Sequence, residues 1–366
     1  MKKLIKNVYT GGALCDILVE DGLILSVEPA GGEYPDAPAK DFGGARIYPG
    51  LIDIHSHGAI GIDMASKYED LGRLADWYLA GGTTTWYPTV TTTSRENFIG
   101  ATSQNIDLGH GANIPGFHFE GPFLCMKYKG AQNPDYIIPP DLSLIDECKN
   151  VKLITVAPEN EGAIDFIREM RNRGVVVALG HTDAGYDIAR EAFEAGASSI
   201  THTFNAMKGV HHRDPGAIGA GADCGAYAQV ISDGIHLHPS VVRMLYKLYG
   251  RDRVTLISDT IEAAGMADGI YDLAGLSVTV EDGVARLTVG GNLAGSTTPL
   301  FKCVKTAIGM GIPEEDADYM ASTAPARLMG LNKGVIAPGY DADFIIVDGE
   351  FNLVTAIARG EFEADE

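Results

Sequence analysis

The 366-residue chain reads as an α/β protein built on a (β/α)8 barrel with a small β unit beside it. Three observations predict this. The middle of the chain alternates short β-branched runs with helical stretches, the mark of βα units around a parallel sheet. The strand candidates number eight, which is the count of a closed barrel. Hairpin signals of a different kind lie before, inside and after that alternation.

The first 48 residues open the β unit. Cys15 to Glu20 and Leu23 to Glu28 are apolar runs joined by Asp21-Gly22. The device recurs at Asp282-Gly283, between Leu276–Glu281 and Val284–Val289, and at Asp348-Gly349, between Phe344–Val347 and Leu353–Ala358. These hairpins predict a small β-sandwich assembled from N-terminal, late-inserted and C-terminal segments. The barrel strands are expected to end near His57, Val90, Glu120, Ala157, His181, His202, Ser232 and Asp259. Helical patterns between them include 71–79, 164–173 and 184–195. In the last, Ile188, Ala189, Ala192 and Phe193 share a face and Gly196 supplies the stop. A further helix is expected over 315–331. A doubly wound open sheet is the alternative, but no Gly-x-Gly-x-x-Gly follows the first strand. The expected domains are therefore 1–48 and 336–366 for the sandwich and 49–335 for the barrel, with a hairpin insertion around 272–292.

A net charge of −21 argues against nucleic acid or an anionic membrane as partner, since both repel an acidic surface. Five scattered cysteines form no Cys-x-x-Cys pair and no even framework, which is reduced, intracellular usage. Met1-Lys2-Lys3 starts like a signal peptide, but no apolar stretch follows, and no run of eighteen apolar residues occurs. A cytoplasmic protein is expected.

In barrels of this kind the active site lies at the C-terminal ends of the strands. Strand one finishes with His55 and His57, whose i, i+2 spacing puts both imidazoles on one face of an extended strand. Strands three, five, six and eight finish with Glu120, His181, His202 and Asp259. Any one of these reads as well as a structural group, an aspartate at a strand end often capping the next helix. Six imidazole or acidic groups closing five separate strands point instead to a divalent first-row metal such as zinc, iron or manganese. His118 shares the face of Glu120 and suits a supporting or packing role. Cys125 suits a small buried filler.

The loop Lys208-Gly209-Val210-His211-His212-Arg213 groups four actual or potential cations in an acidic chain. It is either a solvated loop or an anion clamp, in which Arg213 would grip a phosphate or carboxylate bidentately. Lys127 and Lys129 can add to its field. His236, after strand seven and a glycine turn, can face the cavity.

Several stretches carry a resemblance: His55-Ser56-His57-Gly58, His118-Phe119-Glu120-Gly121-Pro122-Phe123, Gly180-His181-Thr182-Asp183-Ala184, Thr201-His202-Thr203-Phe204-Asn205-Ala206-Met207 and Leu293-Ala294-Gly295-Ser296-Thr297. In these, nearly end to end and in order, the chain resembles the N-acetylglucosamine-6-phosphate deacetylase family of the amidohydrolase superfamily. That resemblance implies a TIM barrel of the metal-dependent hydrolase type. It implies Glu120, His181 and His202 as ligands of the principal metal and His55 and His57 as a second position, hence one or two ions per subunit, zinc or iron. It implies Asp259 as general base and acid, and His236 as the group that polarises the acetyl carbonyl. Asn205 and Ala206 are implied in holding the sugar or its phosphate, Arg213 the phosphate, and a homodimer is expected. One departure stands out: where many relatives have a phosphate-contacting histidine, this chain has Gln132, which can hydrogen-bond but carries no charge.

The expected reaction is hydrolysis of the N-acetyl group of N-acetylglucosamine 6-phosphate to glucosamine 6-phosphate and acetate, in amino-sugar catabolism. Alternatives are N-acetylgalactosamine 6-phosphate, an unphosphorylated amino sugar or an N-acyl amino acid as substrate. A dihydroorotase-like site would need a carbamylated lysine after strand four, where Ile154 to Pro158 offers none. A non-catalytic scaffold on the same fold is the alternative of another class.

Overall fold

A computed structural model describes residues 1–34 and 36–365. Eight parallel strands follow one another around the ring: Leu51–Ser56, Thr83–Thr91, Phe117–Glu120, Val151–Val156, Val176–Leu179, Ser199–Ile200, Tyr227–Ile231 and Val254–Ile257. The ring closes where the eighth strand meets the first, the Asp259 N–H donating to the His55 carbonyl at 2.9 Å. Outward-facing side chains such as Trp86, Phe117, Ile154, Val177, Ile200 and Leu256 join the helices in one large core. Inside the ring, Ile52, Ile54, Tyr87, Leu153, Ile231 and Ile257 pack against Ala326 of helix Thr323–Met329. An apolar plug therefore fills part of the barrel interior, and the polar site occupies the C-terminal end of the strands.

Helices Leu71–Ala80, Ala163–Asn172 and Tyr186–Ala195 stand where the periodicity predicts them. Gly196 ends the last at φ 132°, a conformation that side chains avoid. Two details differ from expectation. Ile188, in the first turn of its helix, is 42 % exposed rather than packed with Ala189, Ala192 and Phe193. The stretch 315–331 is two helices, Glu314–Ala321 and Thr323–Met329, broken at Ser322. Pro325 has no N–H to offer the carbonyl of residue 321, so the first helix cannot run on.

The N- and C-terminal segments share one seven-stranded sheet. Along it lie Leu353–Ile357, Phe344–Val347, Arg46–Pro49, Lys2–Thr10, Ala13–Glu20 and Leu23–Pro29, with Ala39–Asp41 also beside Lys2–Thr10. Its own core includes Ile5, Val8, Ile17, Val19, Ile47, Phe344 and Ile346. Asp21 and Gly22 turn with φ of 50° and 81°, the left-handed pair a two-residue hairpin needs. The Asp348-Gly349 connection is longer, its Asp348 carboxylate accepting the N–H groups of Glu350 and Asn352.

Contrary to the expected sandwich of N-terminal, inserted and C-terminal segments, the inserted hairpin does not join this sheet. Gly269–Leu273, Leu276–Glu281 and Val284–Leu287 form a separate antiparallel sheet. It packs through Leu273, Val278, Val280 and Leu287 on Ile261, Ala263 and Ala294. The reason is where each segment leaves the barrel. The seven-stranded sheet leads into the N-terminal end of strand one, whereas the insertion follows the C-terminal end of strand eight, which is the face of the site. Among the described residues no helix is long and apolar enough to cross a membrane.

Candidate active site

The strand ends bring six of the predicted residues into one buried cluster. Glu120 Oε1 lies 2.8 Å from His202 Nε2, 3.1 Å from His181 Nε2 and 3.4 Å from His55 Nε2. Its Oε2 is 3.4 Å from His57 Nε2. Asp259 Oδ1 stands 3.1 Å from His57 Nε2 and 3.4 Å from His55 Nε2. Three of these side chains are aimed by backbone that L-residues seldom adopt: φ is 47° at His181, 25° at His202 and 53° at Asp259. The chain thus turns sharply two residues past the end of each of these strands and swings that side chain over the mouth of the barrel.

The donor set fits a divalent cation. The Nδ1 atoms of His57 and His181 face the carbonyl oxygens of Thr89 and Tyr128 at 3.2 and 2.9 Å, and His55 Nδ1 faces Gln229 Oε1 at 3.0 Å. A backbone carbonyl only accepts, so these contacts place a proton on Nδ1 of His57 and His181 and turn Nε2 of each ring toward the cluster. The Nε2 atoms converge, with His55 and His57 Nε2 3.3 Å apart and His181 and His202 Nε2 3.1 Å apart. Lone pairs so close, among carboxylate oxygens, repel unless a positive charge lies between them. Two overlapping groups could hold such an ion: Glu120 with His181 and His202, and Glu120 with His55 and His57.

The charges of the protein alone agree. Burial would lower the His55 pKa, but Asp259 and Glu120 outweigh it and push it up to about 9. Burial would raise Asp259, yet His55 and His57 hold it below its usual range and so ionised. Glu120 lies well below its usual range, burial being overcome first by His55 and then by His181. His118 is driven well below 6.5 by burial and then by His55. Both its ring nitrogens are spoken for, Nδ1 by Thr89 Oγ1 at 3.2 Å and Nε2 by Thr155 Oγ1 at 3.0 Å, so it buttresses the cluster from below.

Above the cluster opens a cavity of about 380 Å³. Its wall includes His57, Glu120, Gln132, His181, His202, Asn205, Ala206, His236 and Asp259, with Lys127, Leu273, Asn292 and Leu293. His236 Nδ1 is 2.7 Å from Asp233 Oδ2, and Asp233 Oδ1 accepts the N–H groups of Ile235 and His236 at 2.9 Å each. Burial opposes the charged imidazole, but Asp233 prevails and raises its pKa. An imidazole whose pKa Asp233 raises therefore faces the cavity that the ionised Asp259 also lines.

Two predicted residues sit otherwise than expected. Arg213 is exposed and does not line the cavity of its own chain. Its loop closes on itself through reciprocal His211–Asp214 backbone bonds and the Lys208–Asp214 ion pair, leaving the guanidinium against His212 in a separate depression beside Tyr186. Gln132 lines the cavity, but its side-chain amide donates to Glu120 Oε2 while Oε1 accepts from Thr91 and Thr92.

Other contributors escaped the sequence reading. Gln229 was findable as a lone amide in the apolar strand Tyr227–Ile231. Leu273 and Asn292 carried no signal, because what brings them to the mouth is the docking of the inserted sheet, and Leu293 was visible only as the start of the Leu293–Thr297 motif.

Residues 46–364 match the amidohydrolase family. Over 395 aligned residues the chain is 33 % identical to the N-acetylglucosamine-6-phosphate deacetylase of Bacillus subtilis (strain 168), covering 100 % of this chain and 96 % of that protein. It is 32 % identical to the N-acetylgalactosamine-6-phosphate deacetylase of Escherichia coli O157:H7, covering 94 % and 93 %. Among solved structures it resembles the D267A mutant of the N-acetyl-D-glucosamine-6-phosphate deacetylase of Mycobacterium smegmatis in complex with N-acetyl-D-glucosamine-6-phosphate. The TM-score there is 0.89, at 31 % identity, over 99 % of this chain and 98 % of that one.

Proposed function

The chain belongs to the amidohydrolase family and within it to the N-acetylglucosamine-6-phosphate deacetylases, and from that premise we propose how it works. It is a hydrolase of amides, and its reaction is attack of water on the acetamido carbon of N-acetylglucosamine 6-phosphate, which leaves acetate and glucosamine 6-phosphate, in amino-sugar catabolism. The observation that carries this reading is an ionised Asp259 beside a converging carboxylate–imidazole cluster, under a cavity of about 380 Å³.

In this reading Glu120, His181 and His202 hold a divalent metal, zinc or iron, and His55 and His57 offer the place for a second. Bound there, such an ion lowers the pKa of a water and polarises the amide carbonyl. Asp259 takes the proton of the attacking water and returns it to the nitrogen as the C–N bond breaks. His236, oriented by Asp233 through Nδ1, donates to the acetyl oxygen where negative charge develops. Asn205 and Ala206 hold the sugar, and its remote phosphate contributes binding energy that fixes orientation. Because Arg213 points away from its own cavity, a phosphate contact from it requires the loop of a second copy in a homodimer. We further take the enzyme as cytoplasmic, and its domains as 1–48 with 336–366 around a barrel of 49–335.

The test is kcat/KM for acetate release from N-acetylglucosamine 6-phosphate, N-acetylgalactosamine 6-phosphate and N-acetylglucosamine. The gluco 6-phosphate is expected to lead, and equal rates with and without the phosphate would sink the phosphate argument. Similarity to the N-acetylgalactosamine-6-phosphate deacetylase of Escherichia coli O157:H7 favours the C4 epimer as second reading, and a lead for that substrate would establish it.

A further inference from the structure

Gln132 stands where its sequence context suggests a substrate contact, yet its side chain is committed elsewhere. It is 4 % exposed. Its Oε1 accepts from Thr91 Oγ1 at 2.7 Å and from the Thr92 N–H at 2.8 Å. A backbone N–H can only donate, so the amide has one orientation, with its NH2 turned to Glu120. There it donates to Glu120 Oε2. The two oxygens of Glu120 are thereby set apart: Oε2 is capped by the amide, while Oε1 is left to His202 and His181 at 2.8 and 3.1 Å.

We propose that Gln132 is a positioning residue that holds Glu120 as a one-oxygen ligand on the His181–His202 side, and so decides which of the two overlapping groups binds a metal tightly. The cap adds no charge. On the His55–His57 side, Oε2 at 3.4 Å from His57 is shared with the Gln132 N–H and Oε1 stands 3.4 Å from His55, whereas Oε1 lies nearest His202 and His181, where no amide competes for it. Thr91 and Thr92 fix the amide, and the amide fixes the carboxylate. The inference rests on the proposed metal role of Glu120 and not on the identity of the sugar.

The experiment is Zn2+ binding to the purified full-length protein, stripped and reloaded, by competition with a chromogenic chelator. Gln132→Leu is expected to weaken the tightest site by about 10–100-fold, the usual loss when a partner of a metal ligand is removed. Thr91→Val, which loosens the amide without touching Glu120, is expected to shift affinity the same way by less. Melting of the stripped proteins separates this from a general loss of fold, and Thr91→Val decides alone if Gln132→Leu does not fold. The proposal is overturned if both variants keep the parent's Zn2+ affinity. It is equally overturned if Gln132→Leu raises KM for the phosphorylated sugar with Zn2+ affinity intact, which makes Gln132 a substrate contact. Since the titration contains no sugar, it reads the proposal even if the protein proves to deacetylate something else.

Discussion

His181, His202 and Asp259 are held on left-handed backbone at a cost of about 1–3 kcal/mol each, which a fold tolerates where surrounding contacts over-determine the geometry. For Asp259 those contacts are its N–H on the His55 carbonyl at 2.9 Å and its carbonyl under the Ser296 N–H at 2.8 Å. Asp259→Asn keeps that frame and removes the proton acceptor. Turnover is expected to fall about 10²–10⁴-fold with metal content unchanged, because Asp259 lies outside the Glu120–His181–His202 group. Near-parent turnover would mean that another base acts. A second buried carboxylate lies away from the site. Asp318 has one oxygen without a partner among the described residues, and burial pushes its pKa up to about 8, with Glu314 adding to the effect. An unfolded aspartate titrates near about 4. Between those values the folded state keeps a proton that the unfolded state has lost, so stability falls as pH rises across that window. Asp318→Asn abolishes this dependence. The melting temperature of the variant relative to the parent should rise from pH 5 to pH 8, and a constant difference would refute the assignment.

At the scale of elements, the site depends on strands five and six lying close together. A Cβ added at Gly180 would come within 2.6 Å of Thr201 Cβ and 2.8 Å of Thr155 Cγ2, so one strand must give way. His181 and His202 are the next residues along those two strands and would move with them. Gly180→Ala is therefore expected to cost about 1–3 kcal/mol and to weaken metal binding as well. Thermal melting and chelator competition read the two effects, and a variant as stable and as metal-avid as the parent would contradict the packing argument. Most of the elements were legible in the chain. Strands buried on both faces are written as continuous apolar runs, and Glu120, His181, His202 and Asp259 stand where those runs end. The break at Ser322 was also legible from Pro325, although periodicity alone ran straight through it. The placing of the inserted hairpin was not. Its Asp282-Gly283 turn is like that of Asp21-Gly22, and local turn chemistry says how a hairpin closes but not which surface it covers.

For the whole molecule, a cluster of imidazoles and carboxylates from both the early and the late halves of the barrel makes a bound cation a cross-brace as well as a reagent. A ligand at a thousand times its Kd adds about 4 kcal/mol to stability. Chelation at pH 8 is expected to lower the melting temperature by several degrees. The sign of the pH dependence follows from the protons. His55, pushed up to about 9, must give its proton up to bind a metal, and the pKa of His57 is raised as well, so acid competes with the ion and affinity falls as pH falls. The effect of the chelator should accordingly shrink by pH 6. Identical melting with and without chelator at pH 8 would show that no ion braces the barrel.

Composition, periodicity and the residues at the strand ends determined by themselves that this is an acidic α/β barrel with a ring of imidazoles and carboxylates suited to a metal, since each of those signals is local to a few positions. Only the tertiary structure decided that the insertion walls the cavity, that Arg213 faces away from it, and that Gln132 serves Glu120. Those three depend on which surfaces meet and how long the connecting segments are. The insertion meets residues from other parts of the chain, and even the short-range contacts of Arg213 with His212 and of Gln132 with Glu120 depend on how their loops fold, which no periodicity encodes.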